Sequence, residues 1–143
     1  MSEPSGTVLV IDDDRLVRWT MSTILERAGY RVHEAGTGAE GLSLIPRIAP
    51  DVVLLDIVLP EMDGFTILER IRQAHPDLPV LMMSSHQTAE TIDRAMRLGA
   101  LASLGKPCDA KSLLAAVARA LRPSTPPNEG ADRSPRNTDN DAR

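Results

Sequence analysis

The feature that most limits what this chain can become is a fivefold alternation. Short aliphatic or β-branched runs, Val8–Ile11, Arg31–Ala35, Val52–Leu55, Val80–Met83 and Leu101–Leu104, are each followed by a stretch whose apolar residues recur at helical spacing. Repeated β/α units predict a parallel sheet covered by helices, a doubly wound (βα)5 domain of the α/β class.

The helical stretches differ in how clearly they are marked. In the first, Val17, Met21, Ile24, Leu25 and Ala28 share one face of a 3.6-residue period, and Gly29 stands where a helix end favours positive φ. The second opens on a capping box, Thr37 to Glu40, while Gly41 and Pro46 are expected to shorten or kink it. The third follows Gly64 with Ile67, Leu68 and Ile71. The fourth places Ile92, Ala95 and Met96 on its apolar face before Gly99. The fifth starts from Asp109 as N-cap, continues through Leu113, Leu114, Val117 and Leu121, and stops at Pro123.

From that proline onward the chain has two apolar residues, Ala131 and Ala142, and four prolines, too little to offset chain entropy. The expected division is a folded domain over 1–122 and a disordered tail over 123–143. The net charge of −4 and the absence of a Lys/Arg cluster argue against direct binding of nucleic acid. No apolar run reaches the ~18 residues of a membrane span, and the N-terminus lacks a secretory pattern, so a cytoplasmic protein is expected. The single cysteine, Cys108, has no partner for an internal disulfide and reads as a structural thiol.

The run "VLVIDDD" ends a buried strand on a block of like charge. In a sheet of order 2-1-3-4-5, ligands bind beyond the carboxyl ends of strands 1 and 3, where strand order reverses. Asp12 and Asp13 fall there after the first strand, and "DVVLLD" delivers Asp56 after the third. Strands ~4.8 Å apart bring the three carboxylates face to face, an arrangement that asks for a counter-ion. Oxygen ligands alone, with room for water and phosphate, suit Mg²⁺ better than zinc. Ser84 and Lys106 end the fourth and fifth strands at the same edge, a hydroxyl and a cation able to hold a transferring phosphoryl group.

With "VLVIDDD", "VVLLDIVLPEMDG" and "GALASLGKP", the chain from about Thr7 to Leu121 resembles the receiver domain of two-component response regulators, of the single-domain type. The resemblance implies a flavodoxin-like fold and an aspartate, Asp56, that takes a phosphoryl group from a phosphohistidine on a sensor histidine kinase or histidine phosphotransfer protein. It implies Mg²⁺ held by Asp12, Asp13, Asp56 and the backbone carbonyl of Val58, phosphoryl oxygens held by Ser84 and Lys106, and a cis Lys106–Pro107 bond. Such a domain is a phospho-acceptor that catalyses its own modification rather than an enzyme acting on other substrates. It would signal by docking on a partner or within a phosphorelay, as a monomer or a weak dimer through helix 4, strand 5 and helix 5.

The chain departs from the family at several points. Ser103 stands where an aromatic switch residue is usual, Cys108 where phenylalanine is common, and Ser84 where threonine is frequent. Val58 and His86 occupy the two variable positions that modulate dephosphorylation in the family, and His86 reads as a surface residue. Two other readings follow. Ser103 motivates a degenerate receiver acting as an unphosphorylated binding module. "VIDDDRL" approximates the opening of haloacid-dehalogenase-like phosphatases, although Leu16 breaks that pattern and only Asp109 follows Lys106 where a second acidic pair is needed. Finally, Leu16 and Trp19 lie off the buried stripe of the first helix, 100° and about 200° from Val17's side, so both should be exposed as docking candidates for the phosphodonor.

Overall fold

Burial decides where each strand sits. In the computed structural model, which describes residues 6–122, every residue of β3 (Val52–Asp56) and β4 (Val80–Ser84) is buried. Continuous burial requires helices on both faces, and these two strands lie side by side inside the sheet. β1 (Thr7–Ile11) flanks β3, while β2 (Arg31–Ala35), with Arg31 and Glu34 exposed, and β5 (Ala102–Gly105) form the edges. All pairings are parallel, as the alternation predicted, and the order is β2-β1-β3-β4-β5, the flavodoxin-like order expected of this fold class. The expected tail, 123–143, lies outside the described residues.

Alternate strand residues feed two cores, because successive side chains point to opposite faces. Leu9, Ile11, Val53, Leu55 and Met82 pack with residues of α2 (Gly38–Ile48), α3 (Gly64–Ala74) and α4 (Ala89–Arg97). Val8, Val10, Leu54, Leu81 and Met83 pack with Met21 and Leu25 of α1 (Arg15–Arg27) and Leu113 and Val117 of α5 (Ala110–Ala120). Burial of so many large aliphatic side chains, each worth about 1.5–3 kcal/mol, fixes the strand ends and hence the loops they carry.

Helix ends follow the sequence closely. Gly29 and Gly99 adopt φ of +100° and +102° just past α1 and α4, and Asp109 caps α5 by accepting from the Ser112 amide. Four expectations need correction. Ala28 is exposed as the C-cap of α1, and the buried residue that joins the inner face is Ser22, hydrogen-bonded to Glu34. Pro46 does not shorten α2, which runs on to Ile48: so near the C-terminus the proline removes one amide donor, and Ala49 closes the helix at φ +48°. Only half of the α2 capping box forms, since Glu40 accepts from the Gly36 amide instead of that of Thr37. On α4, Ile92 and Met96 are 36% and 45% exposed and only Ala95 is buried, because the neighbouring edge strand β5 is itself only half-buried.

Gly64 begins α3 pressed against the end of β3. A Cβ there would lie 2.4 Å from the Asp56 carbonyl oxygen and 2.6 Å from the Ile57 Cα, both rigid backbone. At Gly41 a Cβ would meet side-chain rather than backbone atoms, Ile11 Cδ1 at 2.4 Å and Cγ1 at 2.8 Å, so the buried Ile11 must shift, and the better helix propensity of alanine offsets about 1 kcal/mol of that cost. Gly64→Ala is therefore expected to cost about 3 kcal/mol in urea unfolding, and Gly41→Ala clearly less. Equal losses would show that the β3–α3 junction yields as easily as a side chain.

Candidate functional site: an acidic pocket at the strand ends

The register places the acidic residues before any side chain is considered. Ile11 lies opposite Leu55, so the next residues, Asp12 and Asp56, emerge level from the neighbouring strands β1 and β3. Asp56 pairs with Met83, and Ser84 with Gly105, so Ser84 and Lys106 leave the same carboxyl edge from β4 and β5.

The three consecutive aspartates do different work. Asp12 is fully buried, its Oδ1 accepting from the Asp14 amide at 2.9 Å and its Oδ2 from Lys106 Nζ at 2.9 Å. Asp13 is exposed at the rim. Asp14 is the N-cap of α1, accepting from the amides of Leu16 and Val17 at 2.9 and 3.1 Å, a role that a lone aspartate after a strand commonly takes.

Asp56, 5% exposed, accepts from Lys106 Nζ at 3.2 Å through Oδ2 and from the Val58 amide at 3.2 Å through Oδ1. Asp12, Asp13 and Asp56 each offer a carboxylate oxygen within 4.8 Å of the others. Three carboxylates and one ammonium leave the pocket two negative charges in excess. At that separation and an effective dielectric near 20, the two buried carboxylates repel by about 3.5 kcal/mol. An all-oxygen donor set carrying two unbalanced charges fits a hard divalent cation.

The same charges set the titration of the pocket. Burial, and then the charge of Asp12, push the Asp56 carboxyl above its ordinary value, with Lys106 pulling only partly the other way. For Lys106, burial acts downward, but its hydrogen bond to Asp12 and the charges of Asp12 and Asp56 outweigh it, and its net shift is upward. Lys106 is thus held as a cation.

Around the pocket, Ser84 is buried and its Oγ accepts from the His86 amide at 2.9 Å. The Lys106–Pro107 bond is cis. Val58 is exposed, as is His86. Ser103, which the family resemblance marks as a missing aromatic, exchanges two hydrogen bonds with Gln87: its Oγ donates to Gln87 Oε1 at 2.9 Å and its carbonyl accepts from Gln87 Nε2 at 3.0 Å. That pairing was not visible in sequence, since it joins positions 16 residues apart. Nor was Glu61, whose carboxylate accepts from the Gly38 amide at the start of α2 and so ties the β3–α3 loop to that helix. Burial and the neighbouring Asp109 raise the Cys108 thiol, which suits a structural rather than a reactive thiol.

A flavodoxin-like sheet with an acidic pocket at its switch point defines a class of α/β signalling domain. Within that class the chain belongs to the response regulator receiver domain family, whose sequence profile matches residues 8–118. It is 40% identical over 116 residues to the DNA-binding transcriptional regulator NtrC of Escherichia coli K12, covering 81% of this chain and 25% of that protein. It is 38% identical over 125 residues to the response regulator MprA of Mycobacterium sp. strain KMS, covering 87% and 54%. The chain therefore spans about a quarter of the NtrC relatives and about half of MprA. The crystal structure of the receiver domain of NtrX from Brucella abortus superposes with a TM-score of 0.76 at 37% identity, covering 80% of this chain and 97% of that one. Receiver domains are phosphoryl acceptors served by histidine kinases. Among the described residues, no helix is long and apolar enough to cross a membrane.

The raised Asp56 value has a stability consequence. Because the folded-state value exceeds the unfolded one, protonation of Asp56 favours the fold: that contribution is present below pH 3.8 and is lost as pH rises through the raised value. In EDTA, Asp56→Asn is expected to melt higher than the unmodified protein at pH 7, and the gain should shrink on acidification and vanish below about pH 3.8. A gain independent of pH would mean that the charge of Asp56 is not its source.

Proposed function

We propose that Asp56 is the phosphoryl acceptor of a Mg²⁺-dependent receiver, with Asp12, Asp13, Asp56 and the Val58 carbonyl as the metal's protein ligands. The observation that carries this is the three-carboxylate pocket with Lys106 bridging Asp12 and Asp56. When bound, Mg²⁺ would offset the pocket's two excess charges and those of the incoming phosphoryl oxygens.

The chain's own residues account for the rest of the transfer. A carboxylate oxygen of Asp56 forms a bond to phosphorus as the P–N bond of phosphohistidine breaks, and that electron pair returns to the donor imidazole. The product is an acyl phosphate on Asp56. The Lys106 ammonium, 3.2 Å from Asp56 Oδ2, lies where a phosphoryl oxygen would arrive, and the buried Ser84 hydroxyl, which accepts from His86, keeps its own proton to donate to another. Phosphoryl transfer needs mainly such positioning and charge neutralisation. The completeness of this pocket favours the phosphorylatable receiver over a module that binds without modification.

For the donor, the exposed flank of α1 is the natural landing place. Leu16 and Trp19 are 69% and 61% exposed, and Leu16 borders a largely apolar cleft of about 430 Å³ with Thr20, Met83, Lys106, Pro107 and Cys108. Lys106 joins that cleft to the acidic pocket. A histidine-bearing helix seated there brings phosphorus to Asp56, so the donor is a sensor histidine kinase or a histidine phosphotransfer protein. The exposed Ile92, Met96 and Leu101 support at most weak self-association on the α4–β5 side. A cytoplasmic receiver over 1–122, without nucleic-acid contacts of its own, completes the reading.

Acetyl phosphate with Mg²⁺ should add one phosphoryl group by mass spectrometry, and neither Asp56→Asn nor EDTA-treated protein should be labelled. Labelling that survives either change sinks the assignment. Leu16→Ala combined with Trp19→Ala is expected to slow transfer from the phosphohistidine donor by about tenfold, equivalent to about 1.4 kcal/mol of docking, and to leave labelling by acetyl phosphate nearly unchanged. Equal slowing with both donors would place the damage in the pocket instead.

A further inference from the structure

The peptide that joins Asp12 to Asp13 decides where the second carboxylate points. Asp13 is exposed, and among the described residues its side chain takes part in no hydrogen bond, so its place in the cluster depends on the backbone that carries it. The amide of Asp12 is held by the Ala35 carbonyl at 3.1 Å. Its carbonyl, the other side of the same residue, accepts from Arg18 Nη1 at 2.7 Å, a charge-assisted contact that fixes the plane of the Asp12–Asp13 peptide.

Arg18 is itself held in place. Its Nε donates to Glu34 Oε1 at 3.2 Å, and the other oxygen of Glu34 accepts from the buried Ser22 hydroxyl at 2.7 Å. Gly36 leaves the guanidinium its path, since a Cβ there would lie 3.2 Å from Nη1. The guanidinium meets the Asp12 carbonyl through Nη1 and the Glu34 carboxylate through Nε, two donors held apart on one rigid plane, whereas a lysine would have to bring a single nitrogen within reach of both acceptors. The chain Ser22–Glu34–Arg18 thus runs from the inner face of α1, across the end of β2, to the acidic loop.

We infer that Arg18, oriented by Glu34 and Ser22, is a positioning residue that presets the Asp12–Asp13 loop for binding the divalent cation. This rests on the reading of the pocket as a Mg²⁺ site. Groups that orient metal ligands without touching the metal typically change its affinity by about ten- to a hundredfold when removed.

The test is a Mg²⁺ titration followed by the amide resonances of Asp13 and Val58. Arg18→Met, which keeps the stem and loses the donors, should weaken Mg²⁺ about tenfold, with Glu34→Ala shifting in the same direction by less. Arg18→Lys should fall well short of the unmodified affinity. Labelling of Asp56 by acetyl phosphate should slow at limiting Mg²⁺ in Arg18→Met and return to within about twofold at saturating Mg²⁺, a loss of binding rather than of turnover. Val117→Ala, in the α5 core, serves as a control that lowers the melting temperature without touching this network, and it should leave the affinity unchanged. Weakening by Val117→Ala as large as that by Arg18→Met would reduce the effect to general destabilisation and overturn the inference. So would full rescue by lysine, or unchanged affinity in Arg18→Met while the unmodified protein binds. Failure of the unmodified protein to bind Mg²⁺ at all would instead overturn the reading of the pocket, and this inference with it.

Discussion

One ammonium group shared by two buried carboxylates is the interaction on which the rest depends. Lys106 comes from the end of β5, Asp12 from β1 and Asp56 from β3, so the contact closes across three strands of a five-stranded sheet. Neither carboxylate would be tolerable at that depth unpaired, because burying an uncompensated charge costs several kcal/mol. A single cation cannot neutralise the cluster, however, and the surplus negative charge is what suits the pocket to a divalent ion. The hydrophobic sheet sustains this strain. Its buried strands hold the aspartates at fixed separation, where a softer scaffold would let them drift apart.

Much of this could be read from the chain itself, for physical reasons that differ by element. β3 and β4 were legible because strands buried on both faces must be apolar almost throughout, and their final residues, Asp56 and Ser84, stood out against that background. Asp12, Asp13 and Lys106 followed from the same contrast. What escaped notice depends on contacts between elements. Arg18 and Glu34 look like ordinary solvated charges, since nothing in local sequence says that a guanidinium reaches a carbonyl six residues back. Gln87 and Ser103 meet only because β4 and β5 are neighbours. The α2 and α4 errors have a related cause: periodicity reports which residues share a face, and says nothing of how deeply that face is covered.

The Gln87–Ser103 pair puts a polar link where the family resemblance expects an aromatic side chain. An aromatic side chain at position 103 would report loop movement by changing its burial. Here a side-chain amide joins the β4–α4 loop to β5 by two hydrogen bonds of directional geometry. Such a link responds to displacement of the loop abruptly, by breaking, because hydrogen bonds weaken steeply with misalignment.

The shallow seat of α4 carries its own implication. This helix buries Ala95 alone of its nine residues, and is otherwise held by its Thr88–Thr91 cap and by Arg94 stacked 4.2 Å over the Phe65 ring. Its share of the domain's cooperativity is correspondingly small, which makes it a unit able to open while the sheet stays closed. Among the five described helices, the one with the least grip on the core is thus the one whose opening costs the fold least.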